Sequence, residues 1–407
     1  MDLLPILSTL RRHKTAASLI VLEIALTSAI ICNALHLVST RFDRMGYDTG
    51  LPEAELVTLT LRGVDAGTFA QNDEQTARDL QALRALPGVK SAAVINQLVY
   101  GTSSNNSGVR LTPSTQGDAT LVANYAGGEQ TLATLGLALQ EGRDFKAEEY
   151  ISESFFIQQE KPSVGQVIIN RHLADQLFPG RSAVGQVIYL FGVIPSTVIG
   201  VVRQLPHPYP GTRMDSALNA VLLPLRPSYR GGVYLLRVDP AQRDAVLKAA
   251  TAAVERVDRG RIVTAARTIE EMRSTYYAQD RAMAWLMGGV IVALLVVTAF
   301  GIVGLASFWV QQRTRMIGTR RALGATRGQI LRYFQWENFL LSSAGIVLGM
   351  LGAFGLSVLL MANYEMPRLP WAFLPVGALA LWALGQLAVL APARRAAALP
   401  PVEALRA

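Results

Sequence analysis

The sequence of 407 residues has a single cysteine and few histidines. One cysteine excludes an internal disulfide framework and any zinc site built from several thiolates. The histidines stand singly, and no two of them have the helical or turn spacing at which metal ligands converge. The residues in question are Cys32, His13, His36, His172 and His207. We therefore expect no metal site.

The sequence motifs of several enzyme classes are also absent. There is no G-x-x-x-x-G-K-[ST] phosphate loop, no G-x-S-x-G and no H-E-x-x-H. The acidic pairs Glu148-Glu149 and Glu270-Glu271 lie in polar helical contexts that are typical of solvated surface. We therefore expect no catalytic residue and no cofactor bound by this chain.

Charge is scarce, at 17% of residues, while 51% are hydrophobic. The net charge is +8, yet residues 41–281 contain 25 basic and 25 acidic side chains. The whole excess lies beside the apolar runs, as the positive-inside rule describes for membrane proteins. This placement favours a lipid bilayer over nucleic acid as the partner of the basic residues.

Four apolar runs are long enough to span a bilayer, which takes about 20 residues. They predict transmembrane helices at 15–40, 282–310, 337–362 and 371–391. The first run is too long for a signal-peptide core and has no small-x-small cleavage site, so we expect an uncleaved helix with a cytoplasmic N-terminus at 1–14.

The segment 311–336 contains six arginines and no acidic residue, which marks the cytoplasmic side. The large domain 41–281 and the short loop 363–370 then lie outside, and the tail 392–407 lies in the cytoplasm. Apolar residues among the arginines predict an amphipathic helix or helical pair at the cytoplasmic surface; they are Ile317, Leu323, Ile330, Leu331 and Phe334.

Two features within the apolar runs predict helix contacts. Glu23 is costly in lipid, so it should face other helices, with a structural hydrogen-bonding role favoured over a transport role. Gly345, Gly349 and Gly352 belong to a run of small residues in the third span, which lets helices approach closely in a bundle.

The external domain mixes strand and helix patterns, and its length of about 240 residues predicts two subdomains. Glu55–Leu61 and Val184–Leu190 are predicted strands. Asn72 is predicted to cap a helix that runs to Leu86, and a second helix is predicted from Pro240 to Val257. The segment 203–231, rich in Pro, Gly and Arg, is predicted to be an exposed loop.

The stretch GIVGLASFWVQQRTRMIGTRRALGATRGQIL, residues 301–331, resembles the FtsX-like permeases of MacB-type ABC transporters. It follows the family pattern Arg-x-x-Glu-Ile-Gly-x-Arg-x-Ala-Leu-Gly-Ala, except that Met316 replaces the glutamate. Weaker similarities to the periplasmic domain, the return to the membrane and the cytoplasmic tail lie at 135–145, 170–188, 268–281 and 400–407.

The resemblance implies a four-helix membrane protein with a large α+β periplasmic domain between helices 1 and 2, in the bacterial inner membrane. It implies a second permease subunit, identical or different, and a separate ABC ATPase that binds ATP and Mg. It also allows for a periplasmic adaptor or an outer-membrane protein. ATPase-driven motion would be relayed to the periplasm to expel a substrate already there. The residues that the resemblance assigns to ATPase coupling are Met316, Ile317, Gly318, Arg320, Arg321, Ala322, Leu323, Gly324 and Ala325.

Three alternatives share part of this pattern. A lipoprotein-releasing permease has the same topology. A non-transporting regulator, from another functional class, would relay ATPase motion to a cell-wall hydrolase outside. A membrane-anchored sensor without an ATPase is disfavoured, because it has no need of a basic, acid-free cytoplasmic helix. The turn Ala322–Ala325 favours insertion into a protein groove over lipid anchoring, with Arg320 and Arg321 pairing to acidic residues of the ATPase.

Overall fold

A computed structural model describes residues 14–114, 116–160, 162–211, 218–364, 369–398 and 400. Backbone contacts divide the chain into two compact units, one formed by Met1–Phe42 with Gln279–Ala407 and the other by Asp43–Ala278. The predicted N-terminal segment 1–14, loop 363–370 and tail 392–407 lie partly outside the described residues.

The α-helices are numbered in chain order. They are α1 Lys14–Met45, α2 Phe69–Arg84, α3 Thr131–Leu135, α4 Glu153–Gln158, α5 Arg171–Leu177, α6 Arg243–Val257, α7 Ile269–Tyr276, α8 Ala278–Gln312, α9 Thr314–Ala322, α10 Arg327–Tyr364 and α11 Phe373–Ala398.

The β-strands are numbered in the same way. They are β1 Leu56–Gly63, β2 Val89–Ile95, β3 Asn106–Val109, β4 Thr120–Ala126, β5 Leu139–Gly142, β6 Ile151–Ser152, β7 Gln166–Asn170, β8 Val187–Ile188, β9 Ser196–Val202, β10 Ala220–Leu223, β11 Leu225–Arg226, β12 Val233–Val238 and β13 Arg261–Thr268.

Within the described residues, four helices are long and apolar enough to cross a membrane, namely α1, α8, α10 and α11. Contacts between side chains fix their directions. Thr27 of α1 shares a hydrogen bond of 2.9 Å with Thr298, and Arg41 pairs with Asp280, so α8 runs antiparallel to α1. Ile24 lies beside Gly345 and Ser28 beside Gly349, so α10 runs parallel to α1.

The predicted segment 311–336 is not a separate element. Helix α9 covers only Thr314–Ala322, and α10 already begins at Arg327, so the last ten residues of the segment form the first turns of the third spanning helix. The arginine-rich sequence did not show this, because Arg is as good a helix former as most apolar residues and the helix simply continues through it.

The external unit is built on two main sheets. The first has the antiparallel order β13-β1-β12-β2 and is covered by α2 and α6. The second has the mixed order β3-β4-β10-β7-β9-β5, with β8 paired to β9. The chain leaves the first sheet after β2 and returns at β12, so the second sheet is an insertion in the first.

Several local predictions in this unit were wrong. Thr68, not Asn72, caps α2 through a capping box with Gln71. The Thr68 hydroxyl accepts from the backbone N–H of Gln71, and the Gln71 side-chain oxygen accepts from the backbone N–H of Thr68, so both free donors are satisfied. The strand predicted at Val184–Leu190 is only Val187–Ile188. By contrast, the helix predicted from Pro240 to Val257 is present over those residues, as a 3₁₀ turn at Pro240–Gln242 followed directly by α6 at Arg243–Val257.

The prediction of an exposed loop at 203–231 was also wrong. Its described residues include β10, which is fully buried between β4 and β7, and Leu205 and Tyr229, which are 2% and 5% exposed. Proline suggests a surface turn, but two prolines of this segment are hydrogen-bonded inside the unit. The Pro206 carbonyl accepts from the Tyr125 hydroxyl, and the Pro208 carbonyl accepts from the backbone N–H of Tyr100. These long-range partners are not visible in the local sequence.

Candidate coupling site

The predicted coupling residues form a helical hairpin, which we call the hook and define as Thr314–Phe334. Helix α9 ends in a motif in which the N–H of Ala325 donates to the Arg320 carbonyl and that of Gly324 to the Arg321 carbonyl. A helix end with these two hydrogen bonds requires one residue in the left-handed backbone conformation, and Gly324 has φ +94°. Thr326 and Gln329 then form reciprocal capping bonds that start α10.

The inner side of the hook is apolar. Ile317, Ile330 and Phe334 are at most 4% exposed and pack against Ala393 and Ala396 of α11. Leu331 is partly buried against the same cluster, so four of the five predicted apolar positions contribute to the chain's own core and only Leu323 does not. The hook is therefore held in place by packing of its inner side against α11.

The outer side of the hook is open. Leu323 is 83% exposed and lies at the tip of the turn, next to exposed Ala322 and Gly324. Met316, on the outer side of α9, is 36% exposed, whereas Gly318 is buried. A large apolar side chain presented at the tip of a turn closed by two backbone hydrogen bonds, in a segment 311–336 that contains no acidic residue, is suited to insertion in a pocket of a protein partner.

Arg320 and Arg321 were predicted to point toward a partner, but both have contacts within the chain. The Arg320 guanidinium lies over the Tyr333 ring, 5.0 Å from its centroid. Arg321 donates to the backbone carbonyl of Ala397 at 2.7 Å. Arg320 thus links the two helices of the hook to each other, and Arg321 links the hook to α11. Any contact with a partner would use their remaining donors.

A buried ion pair lies at the base of the hook. Arg313, between α8 and α9, donates to both carboxylate oxygens of Glu337 at 2.9 and 2.8 Å. Their side chains are 6% and 2% exposed, and the Arg313 guanidinium also lies 5.5 Å from the Trp309 ring centroid. Glu337 was not predicted as functional. The sequence does contain a feature that could have identified Glu337, since it is the first acidic residue after the arginine-rich segment and lies at the start of an apolar span.

Of the predicted intramembrane residues, Glu23, Gly345 and Gly349 lie between helices. Glu23 points toward Gly301 of α8, where a Cβ would collide with its carboxylate. Gly345 and Gly349 are buried against α1. Gly352 differs from the prediction, because it is exposed and a Cβ there would meet only the Ala29 Cβ at 3.8 Å.

A second polar cluster lies in the external unit, near the two points where the chain passes between units. Arg273 of α7 donates to Glu53 at 3.0 Å and to the Met45 carbonyl at 2.8 Å. Tyr100 donates to Glu53 at 2.8 Å and adopts φ +62°, which is rare for an aromatic residue. We call Met45, Glu53, Tyr100 and Arg273 the tie, because they join the entering and leaving segments of the chain.

The environment of the tie keeps it in its hydrogen-bonded form. Burial, and then the hydrogen bond to Glu53, raise the pKa of Tyr100 well above its usual range. Tyr100 therefore stays a proton donor. The ring centroids of Tyr276 and Tyr277 lie 5.5 and 5.8 Å from that of Tyr100, so the aromatic rings of α7 and of the residue that follows it pack against the tie. The sequence signal was an arginine and two tyrosines directly before an apolar helix.

Comparison with known proteins places these features in a class of membrane proteins. A family model described as FtsX-like permease C-terminal matches residues 288–401, which include the hook. A second model, described as MacB-like periplasmic core domain, matches residues 24–255, more than half of the chain. The chain belongs to the MacB-like family of FtsX-type ABC transporter permeases. The predicted family and fold class are thereby confirmed.

Individual relatives support the same assignment. The chain is 29% identical to the macrolide export ATP-binding/permease protein MacB of Agrobacterium fabrum, covering 80% of this chain and 50% of that protein. It is 30% identical to MacB of Chromobacterium violaceum over 59% of this chain and 38% of that one. It is 26% identical to the uncharacterized ABC transporter permease YknZ of Bacillus subtilis, covering 88% and 83%. The chain thus spans half or less of these MacB proteins.

Two solved structures of external domains are similar to part of the chain. The periplasmic region of MacB from Actinobacillus actinomycetemcomitans matches 56% of this chain and 94% of its own, with 14% identity and a TM-score of 0.34. The extracellular domain of YknZ from Gram-positive bacteria matches 52% and 100%, with 16% identity and a TM-score of 0.32.

Proposed function

We propose that this permease couples ATP hydrolysis in a separate ABC ATPase to movement of its external domain, which expels a substrate from the periplasm. The chain itself is non-catalytic in this proposal, and ATP and Mg are bound by the ATPase. The observation that carries the proposal is the hook, which is anchored through buried Ile317 and Phe334 and presents Leu323, 83% exposed, at its tip.

The geometry of the hook supports a mechanical role. An ATPase that binds the tip applies force to α9, and the Arg313–Glu337 pair ties the base of α9 to α10. Both helices that flank the hook, α8 and α10, are long enough to cross the membrane. Force on the hook therefore acts on two spanning helices together.

The wider assembly follows from the same proposal. Two permease subunits, identical or different, pair in the bacterial inner membrane above two ATPase subunits, with the external domain in the periplasm. A periplasmic adaptor or an outer-membrane protein would carry the substrate onward. The names of the MacB relatives combine ATP-binding and permease functions, whereas this sequence contains no phosphate-loop motif.

The test replaces the exposed tip without touching the core. We expect Leu323→Asp to abolish co-purification of the ATPase and stimulation of its activity, because it puts a charge where an apolar side chain is inserted. The thermal unfolding of the permease should not change, since Leu323 is 83% exposed and is not part of the core behind the hook.

The matched control is Ile317→Ala, which changes a side chain of similar size on the buried side. It should lower the unfolding temperature, because large-to-small core changes cost about 2–5 kcal/mol, while the permease that remains folded still binds the ATPase. Normal ATPase binding and stimulation by Leu323→Asp would refute the proposed docking.

A further inference from the structure

A groove of about 310 Å³ lies between α10 and α11, away from the tip of the hook. Its lining consists of Arg332, Gln335, Trp336, Phe339 and Gln386. Four of these belong to α10, at spacings of three and four residues, so they form one stripe along that helix. The lining contains one positive charge, two amides, two aromatic rings and no carboxylate.

The groove lies at the depth of lipid headgroups. Trp371, 81% exposed just before α11, marks one membrane surface, where exposed tryptophan is favoured. At about 1.5 Å per residue, a hydrocarbon core of about 30 Å ends about 20 residues later, close to Pro392. Phe334 of α10 packs beside Ala393, which places Arg332 at this level. Trp336 and Phe339 then lie one and two turns deeper.

The side chain of Arg332 forms neither a hydrogen bond nor an ion pair with any of the described residues. Residues 311–336 contain no acid, and Glu337 is directed into the bundle by Arg313. An exposed guanidinium without a carboxylate, at headgroup depth, is complementary to a phosphate, which it can bind through two parallel hydrogen bonds.

The floor of the groove is apolar and rigid. Phe339 stacks on Trp382 of α11, with ring centroids 5.7 Å apart, and the Trp382 indole donates to Ser343 at 3.1 Å. Gln386 donates to the backbone carbonyl of Gln335 at 3.3 Å, which joins the two walls. A free phosphate would use Arg332 and leave this aromatic floor in contact with water.

From these observations we propose that the groove binds one anionic phospholipid, with its phosphate on Arg332 and Gln335 and an acyl chain along Trp336 and Phe339. The lipid lies in the leaflet on the hook side of the membrane. Arg332 is in the same helix as the inner wall of the hook, so the bound lipid would brace α10 where Ile330 and Phe334 support α9. Basic pockets between spanning helices are known to select such headgroups.

The test measures lipid binding to the full-length chain, purified in detergent with the subunits that accompany it. Native mass spectrometry with phosphatidylglycerol should show one retained lipid per chain, and phosphatidylcholine should bind more weakly. Arg332→Gln should weaken phosphatidylglycerol binding about fivefold, the effect of one arginine on an anionic membrane surface. The matched control Arg327→Gln, an exposed arginine on the same helix outside the groove, should leave it unchanged.

Two further measurements separate the other occupants. Excess glycerol 3-phosphate should not displace the lipid, and displacement would show a phosphate site without a lipid floor. Brominated phosphatidylglycerol should quench wild-type tryptophan fluorescence more than that of Trp336→Phe. A normal lipid affinity of Arg332→Gln, an equal loss in Arg327→Gln, or a cross-link from residue 336 to another protein would each overturn the proposal. Unfolding temperatures of all variants without lipid show whether a loss reflects misfolding.

Discussion

At the scale of single residues, the Arg313–Glu337 pair decides how the hook is attached. Both side chains are buried, and burying a charge costs several kcal/mol unless its partner compensates. The pair is therefore poor evidence for high stability, because two apolar residues of similar volume would serve as well. The pair instead contributes to orientation, since the hydrogen bonds from Arg313 to both carboxylate oxygens of Glu337 fix the position of the junction between α8 and α9 against α10.

The first prediction follows from this asymmetry. Arg313→Met should lower the free energy of unfolding by about 3–5 kcal/mol, because it leaves the Glu337 carboxylate buried without a partner. The double variant Arg313→Met with Glu337→Leu should recover most of the loss. All five tryptophans lie between residues 285 and 382, so their fluorescence in a mixed-detergent titration follows the membrane unit. A double variant as unstable as the single one would show that the pair is needed for stability itself.

At the scale of elements, the contact between α1 and α10 depends on glycine. A Cβ built on Gly349 would lie 2.5 Å from the Ala25 carbonyl oxygen, and one on Gly345 would lie 2.8 Å from the Ile24 Cβ. Distances this short are not found in real structures, so neither position accepts a side chain without separating the helices. In lipid, where burial of apolar surface gives no driving force between helices, such close backbone contact is what holds them.

The second prediction concerns these two helices. Gly349→Leu should destabilise the membrane unit by about 1–3 kcal/mol or more, because the new side chain overfills the contact with α1. The matched control is Gly355→Leu in the same helix, where a Cβ would meet no atom within 4 Å. Detergent stability of the two variants is compared by the same tryptophan titration. Equal stabilities would mean that α1 and α10 tolerate separation at this position.

At the scale of the whole molecule, the chain passes between its two units only at Phe42–Asp43 and Ala278–Gln279. Met45 and Glu53 of the tie lie within about ten residues of the first point along the chain, Arg273 lies within about ten residues of the second, and the hydrogen bonds of Arg273 join the two segments. If motion of the membrane helices is to move the external domain as one body, the two segments must not slide apart. The tie supplies two hydrogen bonds from one guanidinium against such sliding.

The third prediction tests the tie. Arg273→Met should preserve ATPase binding and hydrolysis but reduce the ATP-dependent signal of a fluorophore on Ser103→Cys, an exposed position of the external unit. The matched control is Arg243→Met, which removes an ion pair of the same type with Glu270 in the same unit. The native Cys32 is fully buried and should not react with the probe. An unchanged signal in Arg273→Met would exclude the tie from transmission.

Periodicity and charge in the sequence determined the membrane architecture. Long apolar runs leave a chain no alternative to spanning helices, and the placement of arginine orients them, so both are properties of local composition. The family motif at 313–325 likewise identified the hook, and its Gly324 is explained by a local requirement for positive φ. These features depend on neighbours in the chain, which a sequence displays directly.

Only the tertiary structure decided which partners meet across long distances in the chain. The local sequence marked some of these residues but did not indicate their partners: that Arg313 would pair with Glu337, that Arg321 would bond to Ala397, or that Tyr100 and Arg273 would share Glu53. The tertiary structure also placed Leu205, β10 and Tyr229, which belong to the segment 203–231, in the core and not at the surface. The physical reason is common to all of these cases: a polar side chain or a proline is compatible with solvent and with burial alike, and the choice depends on whether the fold brings a hydrogen-bonding partner to it.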